Sequence, residues 1–289
     1  MNSMISILIP TFNNINYLKL TIKSIKKNSS YKNHEILLHI NDGSDGTLDY
    51  AIANNFSYTL SKENVGLCTA INTVSKIANS DLLLYAHDDM YFCPDWDSFL
   101  LKEVNLLNHN LYYFSGTMIE QKSVHISYDC GKDYADFDEK KLLDNYKKLS
   151  FYDHQGSHFA PHLVHKELWS KVNGFSEEFN PGIGSDPDFN MKLWKENVRI
   201  FKGISKFRVY HFSSITTRKK GLKQNKGDLT FLKKWKITTK FFKKYLLRSN
   251  TKYMGPLSEP DKTIFYYLGL FVCFLKRINL IFINNKLRD

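Results

Sequence analysis

Leu82-Leu83-Leu84-Tyr85-Ala86-His87-Asp88-Asp89 is a short apolar run that breaks into a polar cluster. It reads as a buried strand with chemistry at its carboxyl end. The same pattern occurs twice upstream. Residues 5–9 form an apolar run closed by Pro10 and followed by Thr11-Phe12-Asn13, and residues 35–40 run into Asn41-Asp42-Gly43, a strong turn signal. Helical spacings lie between them: Leu18, Ile22 and Ile25 within residues 17–27, and Ile71, Val74 and Ile77 within residues 67–78. Residues 48–54 read as a further helix and 58–60 as a short third strand. Strand and helix thus alternate four times in about 90 residues, which predicts an α/β fold with a mostly parallel sheet wrapped by helices. In such sheets ligands sit at the carboxyl ends of strands, where all three polar clusters fall.

The remainder is less regular. Residues 111–115 and 123–128 read as strands, 132–148 as a charged surface helix or excursion, and 154–164 carry three of four closely spaced histidines. A short helix over 166–172 ends at Asn173-Gly174. A helix over 186–197 and strands over 198–201 and 207–211 follow. Charge divides the chain more sharply than pattern does. The formal net charge is +11, yet residues 218–289 hold 18 Lys plus Arg against 4 Asp plus Glu, and residues 1–217 hold 22 against 25. The expected organisation is a catalytic domain over 1–217 and a basic, aromatic, mainly helical appendage over 218–289. A basic tail of this kind suits an anionic partner such as a membrane surface. Residues 264–283 have the length of a membrane span, but Lys276 and Arg277 interrupt them, so an interfacial or buried helix is expected. The N-terminus lacks the basic region and long apolar run of a signal peptide. Cys68, Cys93, Cys130 and Cys273 show no metal-finger spacing, so reduced thiols are expected. Together these readings place the protein in the cytoplasm, with a peripheral position on the inner membrane face as the variant.

Several residue groups carry candidate chemistry. Two adjacent carboxylates at a strand end, Asp88 and Asp89, are costly unless a cation joins them, and a divalent ion holding a diphosphate is the natural partner. His211, closing the strand at 207–211, is a further candidate metal ligand. Asp42 is placed to accept a base or ribose hydroxyl, or simply to form a turn. Gly66, ahead of the 67–78 helix, permits close backbone approach at a helix N-terminus, which favours an anion. Asp186 and Asp188, in the first turn of a helix, are candidates for a general base and equally for dipole capping. Ser213, Ser214, Thr216, Thr217 and Arg218-Lys219-Lys220 form a basic stretch suited to closing over a diphosphate, or to serving as a linker.

The ordered set Pro10-Thr11-Phe12-Asn13, Asn41-Asp42-Gly43-Ser44, Asn64-Val65-Gly66 with Ala70 and Asn72, His87-Asp88-Asp89, and Gly184-Ser185-Asp186-Pro187-Asp188 resembles the family 2 glycosyltransferases of the GT-A fold, over roughly residues 4–215. The resemblance implies transfer of a sugar from a nucleoside-diphosphate sugar, UDP most commonly, to a glycan or lipid-linked acceptor of the bacterial surface. It implies Mn²⁺ or Mg²⁺ and inversion at the anomeric carbon. It places Pro10, Thr11, Asn13 and Asp42 around the nucleotide, Asn64, Gly66 and Asn72 beside it, Asp88 on the nucleotide sugar, and Asp88 or Asp89 on the metal. Asp186 becomes the catalytic base, with Asp188 as its fallback. Three departures stand out: His87 or Ala86 where the family often has a first acid, Ser185 where it has Glu, and Ile71 where it has Arg. A nucleic-acid-binding reading of the basic tail finds no recognition motif. A nucleotidyltransferase would want a Gly-rich loop with a Lys near the first strand, and residues 10–14 have neither.

Overall fold

The computed structural model describes residues 4–212 and 225–286, the last six by backbone alone. Ser213 through Lys220, the stretch suited to closing over a diphosphate, lies outside the described residues. So does the expected domain boundary at 217/218.

In chain order the first elements are β1 (Ser6–Phe12), α1 (Ile15–Asn28), β2 (Glu35–Asn41), α2 (Thr47–Ala53), β3 (Ser57–Ser61), α3 (Leu67–Ser75), β4 (Leu82–Tyr85), β5 (Met90–Phe92) and α4 (Trp96–Asn105). Then come β6 (Tyr112–Glu120), β7 (Ile126–Ser127), α5 (Glu139–Asn145), β8 (His154–Gln155), β9 (His162–His165), α6 (Lys166–Lys171), α7 (Ser185–Lys195) and β10 (Ile200–His211). After the undescribed stretch follow α8 (Gly227–Trp235), α9 (Thr239–Phe241) and α10 (Ile264–Lys286).

The strands form one sheet in the order β3-β2-β1-β4-β9-β6-β10-β5, with β7 beside β6 and β8 beside β10. β3, β2, β1 and β4 run parallel. β9 lies antiparallel between β4 and β6. β10 is parallel to β6 and antiparallel to β5. The parallel half behaves as its sequence requires. Ile7, Leu8 and Ile9 of β1 and Leu83 and Leu84 of β4 are all buried, because helices cover both faces and no alternation is possible. α1 turns Leu18, Ile22 and Ile25 inward, as its spacing predicts.

Differences concentrate in the second half. The expected strands at 198–201 and 207–211 are one strand of 12 residues, irregular in register between Gly203 and Arg208. The strand expected over 123–128 is only the two residues of β7, and the charged excursion 132–148 contains only the seven-residue α5. His154, His158 and His162 are buried packing elements. His162 stacks on Phe189 and packs on Tyr113, and burial, then the charge of His87, pushes its imidazole down to about 3. The four cysteines are unpaired and buried.

The C-terminal helices pack against α7 and its flanking loop through α8. Trp235 Nε1 donates to Asp188 (2.7 Å), and Lys234 Nζ reaches Asp188 (2.9 Å) and Glu178 (2.8 Å). α10 then lies on α9, and Gly269 is the reason it can: a Cβ there would sit 2.9 Å from the Phe241 ring. Among the described residues no helix is long and apolar enough to cross a membrane.

Candidate active site

The sheet topology assembles a site at the carboxyl edge. β6 and β10 run parallel with Tyr210 opposite Ile119, so Glu120 and His211 emerge side by side. β5 begins at Met90, paired with His211, so the turn 87–89 that joins β4 to β5 lies against the end of β10. His87, Asp89 and His211 therefore converge. His211 Nε2 is 3.3 Å from Asp89 Oδ1 and 3.4 Å from His87 Nδ1, and His87 Nδ1 is 3.9 Å from Asp89 Oδ1. Donor atoms bound to one ion at about 2.1 Å stand roughly 3.0–3.5 Å apart, so this trio fits a single cation with small adjustment.

The electrostatics suit the same purpose. His211 Nδ1 donates to Glu120 Oε1 (2.8 Å), which turns Nε2 toward Asp89 and His87. Burial disfavours a charged His211, but Asp89 and Glu120 outweigh it and lift the imidazole to about 10. Burial likewise opposes ionisation of Asp89, and His211 overrides it, holding that carboxyl below its usual value. His87, partly exposed at the mouth of the site, falls to about 4 through desolvation and then the neighbouring His211, and is a neutral donor. A proton on His211 offsets one of the two acid charges here; a divalent cation would offset both. The sequence offered Asp88 and Asp89 equally, and the three-donor group among the described residues takes Asp89 and leaves Asp88 out. His87, which stands where the resemblance wants an acid, joins it instead.

At the ends of β1 and β2, Asn13 and Asp42 both adopt positive φ (44° and 65°), conformations that Asn and Asp tolerate best among side-chain-bearing residues. Asn13 Nδ2 donates to Asp42 Oδ2 (2.7 Å) and Ser44 Oγ (3.1 Å), and Asn13 Oδ1 accepts from Gly43 N (2.9 Å). Thr11 Oγ1 is buried with no hydrogen-bond partner. Pro10 is buried mid-strand in β1 beside His39 of β2. Thr11, Asn13 and Asp42 thus share one strand-end ledge.

The candidates around α3 are committed elsewhere. Asn64 Oδ1 accepts from Gly66 N (3.0 Å), closing a local turn. The α3 N-terminus is not an open anion site: Asn180 Oδ1 accepts from Cys68 N (2.9 Å), and Pro181 O from Leu67 N (3.2 Å). Gly66, at φ 82°, is required there because a Cβ would strike Asn180 at 2.5 Å. Both polar atoms of Asn72 engage the Phe175 backbone, each at 2.8 Å. Asn64 and Asn72 thus each hold local structure around α3.

Asp186 and Asp188 separate cleanly. Asp188 is fully buried and saturated by Ser176 Oγ (2.6 Å), Trp235 and Lys234. It anchors the C-terminal helices through Trp235 and Lys234. Asp186 Oδ1 is buried with no hydrogen-bond partner, and so is the hydroxyl of Tyr85 at the end of β4, whose phenol is raised by burial first and by the Asp186 charge second. Burial pushes the Asp186 carboxyl up to about 7. A carboxylate poised near neutrality with an unengaged oxygen is equipped to take a proton from an incoming hydroxyl.

Sequence reasoning missed three contributors. His87 carried a signal, its position beside two acids. Glu120 and Asn180 carried none, since each acts on a residue 91 or 112 positions away.

The model of the family described as glycosyl transferase family 2 matches residues 6–162, more than half of the chain, and the chain belongs to that family. Uncharacterized glycosyltransferases of Rickettsia prowazekii and Rickettsia typhi are each 29% identical over 180 residues, covering 60% of this chain and 54% of theirs. The chain therefore spans about half the length of the curated relatives it matches. Among solved structures, S. aureus TarS 1–349 in complex with UDP superposes with a TM-score of 0.53 at 14% identity, over 72% of this chain and 60% of that one. GalNAc-T7 with UDP, GalNAc and Mn²⁺ gives 0.55 at 15% identity, over 72% and 43%. These likenesses establish the GT-A fold.

Proposed function

We propose that the protein transfers a sugar from a nucleoside-diphosphate sugar to a hydroxyl of a glycan or lipid-linked acceptor, with inversion. The observation that carries this reading is the convergence of His87, Asp89 and His211 on the same sheet edge as the Asn13–Asp42 ledge, in a chain of this family. The ledge would hold the base and ribose through Thr11, Asn13 and Asp42, whose polar atoms hydroxyls can engage. UDP is the favoured nucleotide, since it is the one held by both solved relatives named above.

His87, Asp89 and His211 would hold a divalent cation, whose contribution is to neutralise charge developing on the leaving diphosphate. Two imidazoles and one carboxylate favour Mn²⁺ over Mg²⁺, which prefers oxygen donors. Asp186 accepts the proton of the acceptor hydroxyl, and that oxygen attacks the anomeric carbon from the face opposite the diphosphate. Tyr85, beside Asp186, is neutral throughout and available to position the same hydroxyl.

The test is Asp186→Asn. It should lower transfer by at least 10²-fold while leaving intact the rise in melting temperature produced by UDP with Mn²⁺. Unchanged turnover would remove Asp186 from its role. Absence of any stabilisation by UDP, GDP or dTDP with Mn²⁺ would remove the donor-binding reading itself.

A further inference from the structure

The outer face of α10 is apolar and uncovered. Ile264, Phe265, Leu268, Phe271, Val272 and Leu275 recur at helical spacing; Phe265 is 68% and Phe271 56% exposed. The opposite face is occupied: Cys273 is buried with its Sγ accepting from Thr238 N (3.4 Å), and Tyr266 packs on Phe241 and Tyr245. The helix is thus held by one side and presents a stripe of large side chains on the other. Soluble proteins seldom leave so contiguous an apolar patch in water without a use for it.

Charge identifies what covers it. The exposed stretch 264–275 carries no ionised side chain, Lys262 precedes it, and Lys276 and Arg277 follow. Lys240 and Lys244, on the segment beneath, are exposed. Residues 218–289 as a whole hold 18 basic against 4 acidic residues. A second copy of this face would bring a second excess of positive charge against the first, which opposes pairing. An anionic bilayer reverses the sign, and its interface accepts the aromatic and aliphatic stripe. We infer that α10 lies in the plane of an anionic membrane surface, apolar face inward, with the flanking Lys262, Lys276 and Arg277 at headgroup level. α8 links this helix to the catalytic half through Asp188, two residues from Asp186, so docking holds the candidate base near the interface. That last consequence rests on the proposed function; the docking itself does not.

Flotation of the full chain with vesicles of phosphatidylglycerol and phosphatidylcholine, against phosphatidylcholine alone, tests the inference. The chain should float with the anionic vesicles, less with the neutral ones, and less again as salt rises. Phe265→Glu combined with Phe271→Glu should reduce partitioning at least about tenfold with an unchanged melting temperature, since both side chains are exposed. Should that variant fail to fold, Lys262→Glu with Lys276→Glu serves in its place and should weaken binding to the anionic vesicles only. A wild-type chain that stays out of both vesicle fractions overturns the inference. So does light scattering that shows a dimer dispersed by Phe271→Glu. Stabilisation by UDP with Mn²⁺, measured on the same samples, reports the glycosyltransferase reading separately.

Discussion

At the residue scale, the proposed chemistry turns on two acids. Asp186 has its pKa lifted by burial to about 7, so its folded form keeps a proton that the unfolded chain, near 3.8, has lost. Between those values the folded state binds more protons, and stability falls as pH rises through the window. Two outcomes follow. Transfer should climb with pH up to about 7 and then level off, as read from a kcat/KM profile, which reports the free enzyme. Asp186→Asn should match the wild-type melting temperature near pH 4 and exceed it near pH 8, because the variant has no buried charge to form. Glu120 is the second acid. Its hydrogen bond fixes which nitrogen of His211 faces Asp89, so Glu120→Ala should weaken Mn²⁺ binding about 10–100-fold. Titration calorimetry or manganese spectroscopy would measure this directly, and an unaltered affinity would show that Glu120 does not orient the ligand.

At the element scale, α7 joins the two halves of the molecule. Gly184 enters it in a left-handed conformation, its first turn carries Asp186 and Asp188, and its last turn carries Lys192 and Lys195. Acids at the start and bases at the end both favour the helix dipole. One helical turn therefore has two separate duties: Asp186 keeps an oxygen unengaged, while Asp188 is buried under Trp235 and Lys234. Removing Asp188 strands the indole N–H of Trp235, while Lys234 keeps Glu178 and Ser176. Asp188→Ala should destabilise the protein by about 1–3 kcal/mol in denaturant unfolding. A change within a few tenths of that unit would mean α8 is held by apolar contacts alone.

At the scale of the whole molecule, a parallel half and a mixed half meet at β4. The parallel half supplies the ledge of Thr11, Asn13 and Asp42; the mixed half supplies His211 and Glu120; and the β4–β5 turn lies between them. Nucleotide and cation would thus be gripped from opposite sides of one sheet edge. The appendage adds an exposed apolar helix to a charge distribution that is otherwise near neutral.

The local pattern was enough to announce the parallel half. Runs such as 82–85, and 5–9 with Ser6 the one polar residue, are near-continuously apolar, as a strand covered on both faces requires, and helical spacings separate them. It was also enough to place polar clusters at strand ends, since each begins where an apolar run stops. Periodicity is local, however, and the site is not. His87 and His211 meet across 124 positions of sequence because β10 lies antiparallel to β5 and parallel to β6, a register no short-range pattern encodes. The same holds for Asp186 and Asp188, alike in sequence and two residues apart in one helical turn. Only the packing of α8 against that turn made one an anchor and left the other able to accept a proton.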